Sequence, residues 1–74
     1  MTEKTVPEQA GSLYALCYDA IVVAPHGDQW DVFDGPGGSY VDTVDTAVLI
    51  ELDDHYNMSI QLADGSAWRS LYAT

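Results

Sequence analysis

An excess of negative charge is the sequence feature that most restricts how this chain can fold. Twelve Asp and Glu side chains face only two basic ones, Lys4 and Arg69, which gives a formal net charge of −10 over 74 residues. A charge this far from zero favours solubility but opposes compaction through self-repulsion. The chain therefore needs enough apolar residues to form a core in spite of that repulsion, and so little basic compensation calls for a functional explanation.

The apolar content is sufficient for a small core. Hydrophobic residues make up 47 % of the chain, and eight of them are aromatic: Tyr14, Tyr18, Trp30, Phe33, Tyr40, Tyr56, Trp68 and Tyr72. Disordered acidic chains lack such residues because they cannot bury enough surface to offset the entropy of ordering. We expect a flexible polar tail at residues 1–6 and a single acidic domain at 7–74. A domain of this size buries only about 60 % of its unfolded surface, so its core is thin.

The location of the protein is predicted from three features. A single cysteine, Cys17, excludes an internal disulfide framework. The first ten residues contain no apolar run of the kind found in signal peptides. No stretch approaches the roughly 18 apolar residues of a membrane helix. We expect a cytoplasmic protein that binds neither nucleic acid directly nor a membrane, because both are anionic.

Alternation and turn residues predict two β-hairpins, at about 21–34 and 58–72. In the first, a β-branched run is followed by the turn signal Pro25–Asp28 and by an extended segment that contains Trp30 and Val32. In the second, residues 58–62 alternate strictly, Asp64-Gly65 is a typical tight turn, and Trp68, Ser70 and Tyr72 continue the period. A glycine-rich loop at residues 34–39 follows the first hairpin.

Two further segments allow both helix and strand. Residues 43–55 form an apolar helical stripe with Asp42 or Thr43 as N-cap and Asp45 in the first turn, although alternation at 48–52 also fits a strand. The length of this segment before the next turn favours a helix. Residues 7–18 fit a short N-terminal helix or a strand. The predicted fold class is α+β, with a small antiparallel sheet covered on one face.

The chain carries no recognisable catalytic or metal-binding constellation. Cys17 could pair with His26 or His55, but no nucleophile signature surrounds it, and a lone cysteine in an apolar stretch is more often a packed hydrophobe. The spacing of Asp28, Asp31 and Asp34 differs from that of a calcium loop. The glycine loop lacks the lysine of a phosphate-binding loop. We expect no enzyme activity, no metal and no cofactor.

The carboxylates are the candidate functional residues. They could be merely a solvated surface, but eight of the twelve lie in the middle of the chain, where they could form one negative face. Aromatic side chains at its rim could supply contacts that charge alone does not, with Trp68 a further candidate. The predicted partner-binding residues are Asp28, Asp31, Asp34, Asp42, Asp45, Glu51, Asp53, Asp54, Tyr40 and Tyr56.

In bulk character the chain is similar to small acidic proteins carried by phages and mobile elements, which include anti-CRISPR proteins, other host-defence inhibitors and DNA mimics. Residues 21–33, 35–38 and 44–52 also resemble the hairpin, glycine turn and helix of HicB-type antitoxins. The charged helix typical of those antitoxins is absent, and a second hairpin is predicted where they differ.

These observations predict an interaction protein that inhibits a larger intracellular protein by occupying its basic, nucleic-acid-binding surface. Carboxylates placed opposite Lys and Arg side chains steer association and match the partner's charge. The alternatives are an antitoxin or immunity protein that neutralises a basic toxin, and a structural subunit of an assembly. Formation of a homodimer is compatible with each of them.

Overall fold

The computed structural model describes residues 5–17 and 20–72. Along these residues the elements follow in the order α1 (Val6–Cys17), β1 (Ala20–His26), β2 (Gln29–Phe33), β3 (Tyr40–Asp45), α2 (Thr46–Tyr56), β4 (Ser59–Leu62) and α3 (Trp68–Tyr72). The strands form one sheet in the order β3-β2-β1-β4. The predicted α+β class, with a small sheet and one main helix, is confirmed.

The first predicted hairpin is present, with each boundary moved by one residue. β1 and β2 are antiparallel, and Val23 pairs with Val32 at the centre of the hairpin. β2 is in turn antiparallel to β3, with a register irregularity at Val32 and Phe33. β4 lies on the other side of β1 and is parallel to it. The sheet is therefore mixed rather than purely antiparallel, because α2 carries the chain from one edge of the sheet to the other.

The N-terminal segment is a helix, which decides between the two predicted alternatives. Thr5 caps it: the Thr5 backbone N–H donates to Glu8 Oε1 at 3.0 Å, and the Glu8 N–H donates to Thr5 Oγ1 at 3.4 Å. This reciprocal pair is a capping box. Pro7 is tolerated in the first turn, where its missing N–H would have had no helical partner. Most of the predicted tail, residues 1–4, lies outside the described residues.

The predicted helix at 43–55 begins later, at Thr46, because the preceding residues form β3. Asp45 rather than Asp42 or Thr43 is the N-cap, and its backbone is extended. The helix ends at Asn57, which adopts the left-handed conformation with φ of 53°. The backbone N–H groups of Asn57 and Met58 both donate to the Leu52 carbonyl, the latter at 3.1 Å, and so satisfy a carbonyl of the last turn.

The second predicted hairpin is only partly formed. Its turn is present, since the Leu62 N–H donates to the Ser66 carbonyl at 2.8 Å and Gln61 forms an isolated antiparallel bridge with Ala67. The return segment is not a strand but the short helix α3. Trp68 is only 1 % exposed and meets Trp30 edge to face, with ring centroids 6.0 Å apart. Burial of this large ring replaces further strand pairing.

One face of the sheet forms the core together with the helices. The buried strand residues share that face because they pair with one another, as Ile21 does with Ile60 and Val23 with Val32. They belong to one cluster with the buried residues of the helices: Ala10, Leu13 and Cys17 of α1, Val48, Leu49 and Leu52 of α2, and Trp68 of α3. The opposite face of the sheet carries no buried residue, and we refer to it as the open face.

Candidate functional site

The strand register shows which side chains share the open face. Phe33 pairs with Tyr40 on one side and with Val22 on the other, and Val22 pairs with Gln61. The next cross-strand row is Thr43, Asp31 and Ala24, and the row after that is Asp45, Gln29 and His26. Side chains two residues apart on a strand point to the same side. The open face therefore changes from apolar at one end of the strands to acidic at the other.

Asp31 is held at the centre of a polar network that joins three strands. Its Oδ1 accepts a hydrogen bond of 2.7 Å from Thr43 Oγ1, and its Oδ2 lies 3.2 Å from His26 Nδ1. The hydroxyl groups of Tyr40 and Thr43 are 2.6 Å apart. The Asp31 side chain is 24 % exposed, so it is oriented by its neighbours and still reachable from solvent.

Three more carboxylates lie on β3 and in the turn before β2. Asp28 is exposed in the turn between β1 and β2. Asp42 is exposed on the edge strand β3 and pairs with Val32, so it points to the opposite side of that strand from Thr43 and Asp45. Its Oδ1 accepts the Thr43 backbone N–H at 2.8 Å. Asp45 makes no side-chain capping bond and instead accepts a hydrogen bond of 3.0 Å from Gln29 Nε2. We call Asp28, Asp31, Asp42 and Asp45 the acidic edge.

The acidic edge has no Lys or Arg partner among residues 5–17 and 20–72. Arg69 is the only Lys or Arg in that part of the chain, and its ion-pair partners are Asp53 and Asp54. His26, which is positively charged only when protonated, contacts Asp31 of the acidic edge. A group of carboxylates without opposite charge creates a local field that attracts cationic groups.

The carboxylates of α2 are arranged differently. Arg69 Nη1 donates to Asp53 and also to Asp54 Oδ1, the latter at 3.0 Å. The hydrogen bonds to Asp54 and Asp53, and then the charges of both, raise the pKa of Arg69. Glu51 Oε2 lies 3.5 Å from His55 Nδ1, one helical turn away. The predicted single negative face is thus divided between the sheet, where the acids have a His neighbour but no Arg or Lys, and α2, where Arg69 pairs with Asp53 and Asp54.

Asp34 belongs to neither group. It contacts Cys17 at the end of α1, and the pKa of the Cys17 thiol is raised by burial, by the charge of Asp34 and by the hydrogen bond to Asp34. A buried thiol held in the protonated form is a weak nucleophile. Asp34 therefore connects the end of β2 to the end of α1 through its contact with Cys17.

The aromatic side chains predicted to bind a partner lie in different parts of the structure. Tyr40 is 56 % exposed, and its ring meets Phe33 edge to face at 6.0 Å. Tyr56 is half-buried and stacks on Tyr14 at 4.9 Å, a contact that joins α2 to α1. Trp68 is buried in the core. Tyr40 is thus the predicted aromatic residue that lies beside the acidic edge.

Sequence reasoning missed the polar neighbours that orient these acids, namely Thr43, Gln29 and His26. The sequence places His26 in the predicted turn, whereas the structure pairs it with Gln29 as the last pair of the β1–β2 hairpin. Thr43 could have been found only by recognising β3, since its contact with Asp31 spans two strands. The missing signal was alternation, which the irregularity at Val32 and Phe33 disrupts.

A shallow trough lies on the apolar part of the open face. Its volume is about 380 Å³, and its lining includes Val22, Ala24, Phe33, Pro36 and Gln61. The glycine loop borders it on one side, and the turn at residues 63–65 borders it on the other. The trough therefore adjoins the row that contains Asp31.

Other kinds of site receive no support from the described geometry. Among residues 5–17 and 20–72, no three His, Cys, Asp or Glu side chains are placed to hold a metal ion together. In the same part of the chain, no helix has the length and apolar character needed to cross a membrane.

Comparison of the chain with protein-family models, curated proteins and solved structures finds no match in any of the three.

Proposed function

We propose that this protein is a small acidic inhibitor that occupies a basic, nucleic-acid-binding surface of a larger intracellular protein. The observation that carries the proposal is the acidic edge: four carboxylates on β2, on the edge strand β3 and in the turn before β2, none of which has a Lys or Arg partner in the described residues. A protein that holds phosphates presents Lys and Arg side chains. Carboxylates at fixed positions compete for those same side chains.

The geometry supports competition rather than solubility alone. Acids that serve only solubility need no fixed orientation, whereas Asp31 and Asp45 are held by Thr43, His26 and Gln29. Preorganised acceptors lose less entropy when a cation binds them. Tyr40 provides an exposed aromatic ring next to the same strand pair, and Tyr is a residue type enriched at binding hot spots.

The partner is inferred from its chemistry. Nucleic acid and anionic lipid headgroups are repelled by a chain of net charge −10. A basic protein surface is attracted, and opposite charges raise the association rate at low salt. The raised pKa of Cys17 favours the thiol over the reactive thiolate, which fits a binding role better than a catalytic one.

An antitoxin or immunity protein that covers a basic toxin is the second candidate. The β1–β2 hairpin, the glycine loop and α2 follow one another in the order that the HicB resemblance implies, with β3 between the loop and the helix. The same acidic edge would then face a toxin. A basic toxin reading frame next to the gene favours this candidate, and a cluster of phage defence-evasion genes favours the first.

The experiment compares two variants of equal charge. The edge variant carries Asp28→Asn, Asp42→Asn and Asp45→Asn. The control variant carries Glu8→Gln, Glu51→Gln and Asp54→Asn, which lie on α1 and α2. Each removes three negative charges. Wild type and both variants are immobilised, exposed to lysate of the cells that encode the chain, and the bound proteins are identified and tested for binding to DNA and RNA.

We expect wild type and the control variant to capture a nucleic-acid-binding protein that the edge variant does not capture. Adding the free chain should then release nucleic acid from that protein. Equal capture by both variants would refute the assignment to the acidic edge. Capture without any effect on nucleic-acid binding would refute inhibition by competition. A stable homo-oligomer without a heterologous partner in size-exclusion chromatography would favour the structural-subunit alternative.

A further inference from the structure

The open face leaves apolar surface without a covering element. Val22, Ala24 and Phe33 lie on that face and are half-buried, and in the described residues both long helices pack on the other side of the sheet. Sheets in α+β proteins bury an apolar face against another element. In this protein only one face of the sheet is buried in this way. The trough lined by these three residues is therefore open to a partner.

The surroundings of the trough specify the charge of its occupant. Asp31 pairs with Ala24 across the hairpin and thus stands at the border of the trough. Asp45 lies one row further along the same face. The trough therefore has an apolar floor and an anionic border on the side of Asp31.

We propose that the trough binds an amphipathic basic helix of a partner protein, with one or two apolar side chains on Val22, Ala24 and Phe33 and with Lys or Arg side chains on Asp31 and Asp45. This inference rests on the proposed function and names the surface and the partner chemistry. A helix is the element that covers sheet faces in layered folds, and its apolar stripe with flanking polar residues matches a floor bordered by acids.

Charge decides against a second copy of this chain. Two molecules that met through their open faces would bring two Asp31 side chains and two acidic edges together, each molecule having a net charge of −10. Like charges brought together at an interface cost several kcal/mol. A partner could instead add an extended segment to the edge of β3. Such a segment would contact Asp42 and leave the trough empty, so the test distinguishes it from a helix bound in the trough.

The probe is a synthetic helical peptide of about 18 Leu and Lys residues with one apolar stripe, long enough to form a helix on binding. A second peptide has the same composition with the stripe scrambled. Each is titrated into the ¹⁵N-labelled full chain while amide shifts are recorded. We expect the striped peptide to shift Val22, Ala24, Phe33 and Gln61 and to bind at least about tenfold more tightly than the scrambled one.

A matched pair of variants tests the position of the bound helix. Ala24→Arg fills the trough, whereas Ala15→Arg adds the same side chain to an exposed position of α1. Ala24→Arg should weaken binding of the striped peptide at least about tenfold relative to Ala15→Arg. Shifts in the wild-type chain locate the site even if Ala24→Arg fails to fold.

Three results would overturn the inference: equal binding of the two peptides, shifts confined to β3 or α2, or equal binding by the two folded Arg variants. The proposed function has a separate test, because the edge variant keeps the residues that line the trough and Asp31, and changes only Asp45 of the proposed site. Loss of partner capture by the edge variant together with no trough binding would leave the proposed function in place and remove only this inference.

Discussion

Arg69 of α3 donates a hydrogen bond of 3.0 Å to the carboxylate of Asp54 on α2, although the two residues are 15 positions apart. Asp53 binds the same guanidinium nitrogen. This contact attaches the C-terminal helix to the main helix. It also occupies two of the most closely spaced acids of the chain, so they contribute less than the acidic edge to any field directed at a partner.

Replacing Arg69 with Gln should loosen α3. The two carboxylates would lose their cation, and Asp53 and Asp54 would then repel each other. We expect faster amide hydrogen exchange in residues 68–72 and a change in the fluorescence of Trp68, which is buried directly before Arg69. Added salt should diminish the difference from wild type, because exposed ion pairs are screened. Unchanged exchange at low salt would contradict this role.

Thr46→Val should destabilise the junction between the sheet and α2. Trp30 Nε1 donates a hydrogen bond of 2.9 Å to Thr46 Oγ1 at a partly buried position. Removing the acceptor leaves the indole N–H without this bond, at a cost of about 1–2 kcal/mol. Thr46→Ser keeps the hydroxyl and should cost less. Urea unfolding followed by Trp fluorescence measures both, and equal losses would show that the hydrogen bond is not responsible.

Gly38→Ala should destabilise the glycine loop. A Cβ atom at Gly38 would lie 2.3 Å from the Asp34 carbonyl oxygen, so the backbone must shift. We expect a loss of about 1–3 kcal/mol, as for other overpacked sites. Gly27 has φ of +63° and open space around its Cβ position. Gly27→Asn should therefore cost less than about 1 kcal/mol, because Asn tolerates this conformation. Thermal unfolding measures the loss of stability in each variant. Similar losses for Gly38→Ala and Gly27→Asn would contradict the close contact between Gly38 and the Asp34 carbonyl.

Asp34→Asn should make Cys17 more reactive. Burial is the largest cause of the raised pKa of Cys17, and the charge and hydrogen bond of Asp34 add to it. A raised pKa in the folded state stabilises the fold below the unfolded pKa of about 8.5. That contribution is lost as the pH rises through the folded pKa.

The measurement is the pH dependence of alkylation by iodoacetamide. In Asp34→Asn the rate should rise at a lower pH than in wild type, since removal of the charge lowers the pKa of the thiol. Asp28→Asn removes the same charge at the opposite end of β2 and should leave the profile unchanged. Identical profiles for Asp34→Asn and wild type would exclude contact between Asp34 and Cys17.

Local signals predicted the parts of the fold that depend on neighbouring residues. The first hairpin follows from a β-branched run and the turn at Pro25–Asp28, and the turn at Asp64-Gly65 was likewise read from its own residues. β3 was missed, because the extra residue at its irregular register breaks the alternation that marks a strand. The sequence pattern therefore predicts the start of the following helix within residues that form β3.

The remaining errors come from contacts between distant residues. Alternation of Trp68, Ser70 and Tyr72 fits a strand, and only the packing of Trp68 on Trp30 favours a helix there. The division of the carboxylates between the acidic edge and α2 also depends on contacts between distant residues. Nothing in the spacing of Asp53, Asp54 and Arg69 indicates that they meet, and nothing near Asp31 indicates that Thr43 orients it.

The acidic edge, rather than net charge alone, should direct association with the partner. The direct measurement is the association rate constant with the captured basic partner, recorded against ionic strength for wild type, the edge variant and the control variant. We predict that the rate for wild type and the control variant falls steeply with salt, and that the edge variant associates at least about tenfold more slowly at low salt with a shallower slope. Identical rates and slopes for the two variants would contradict the claim, because both have lost the same charge.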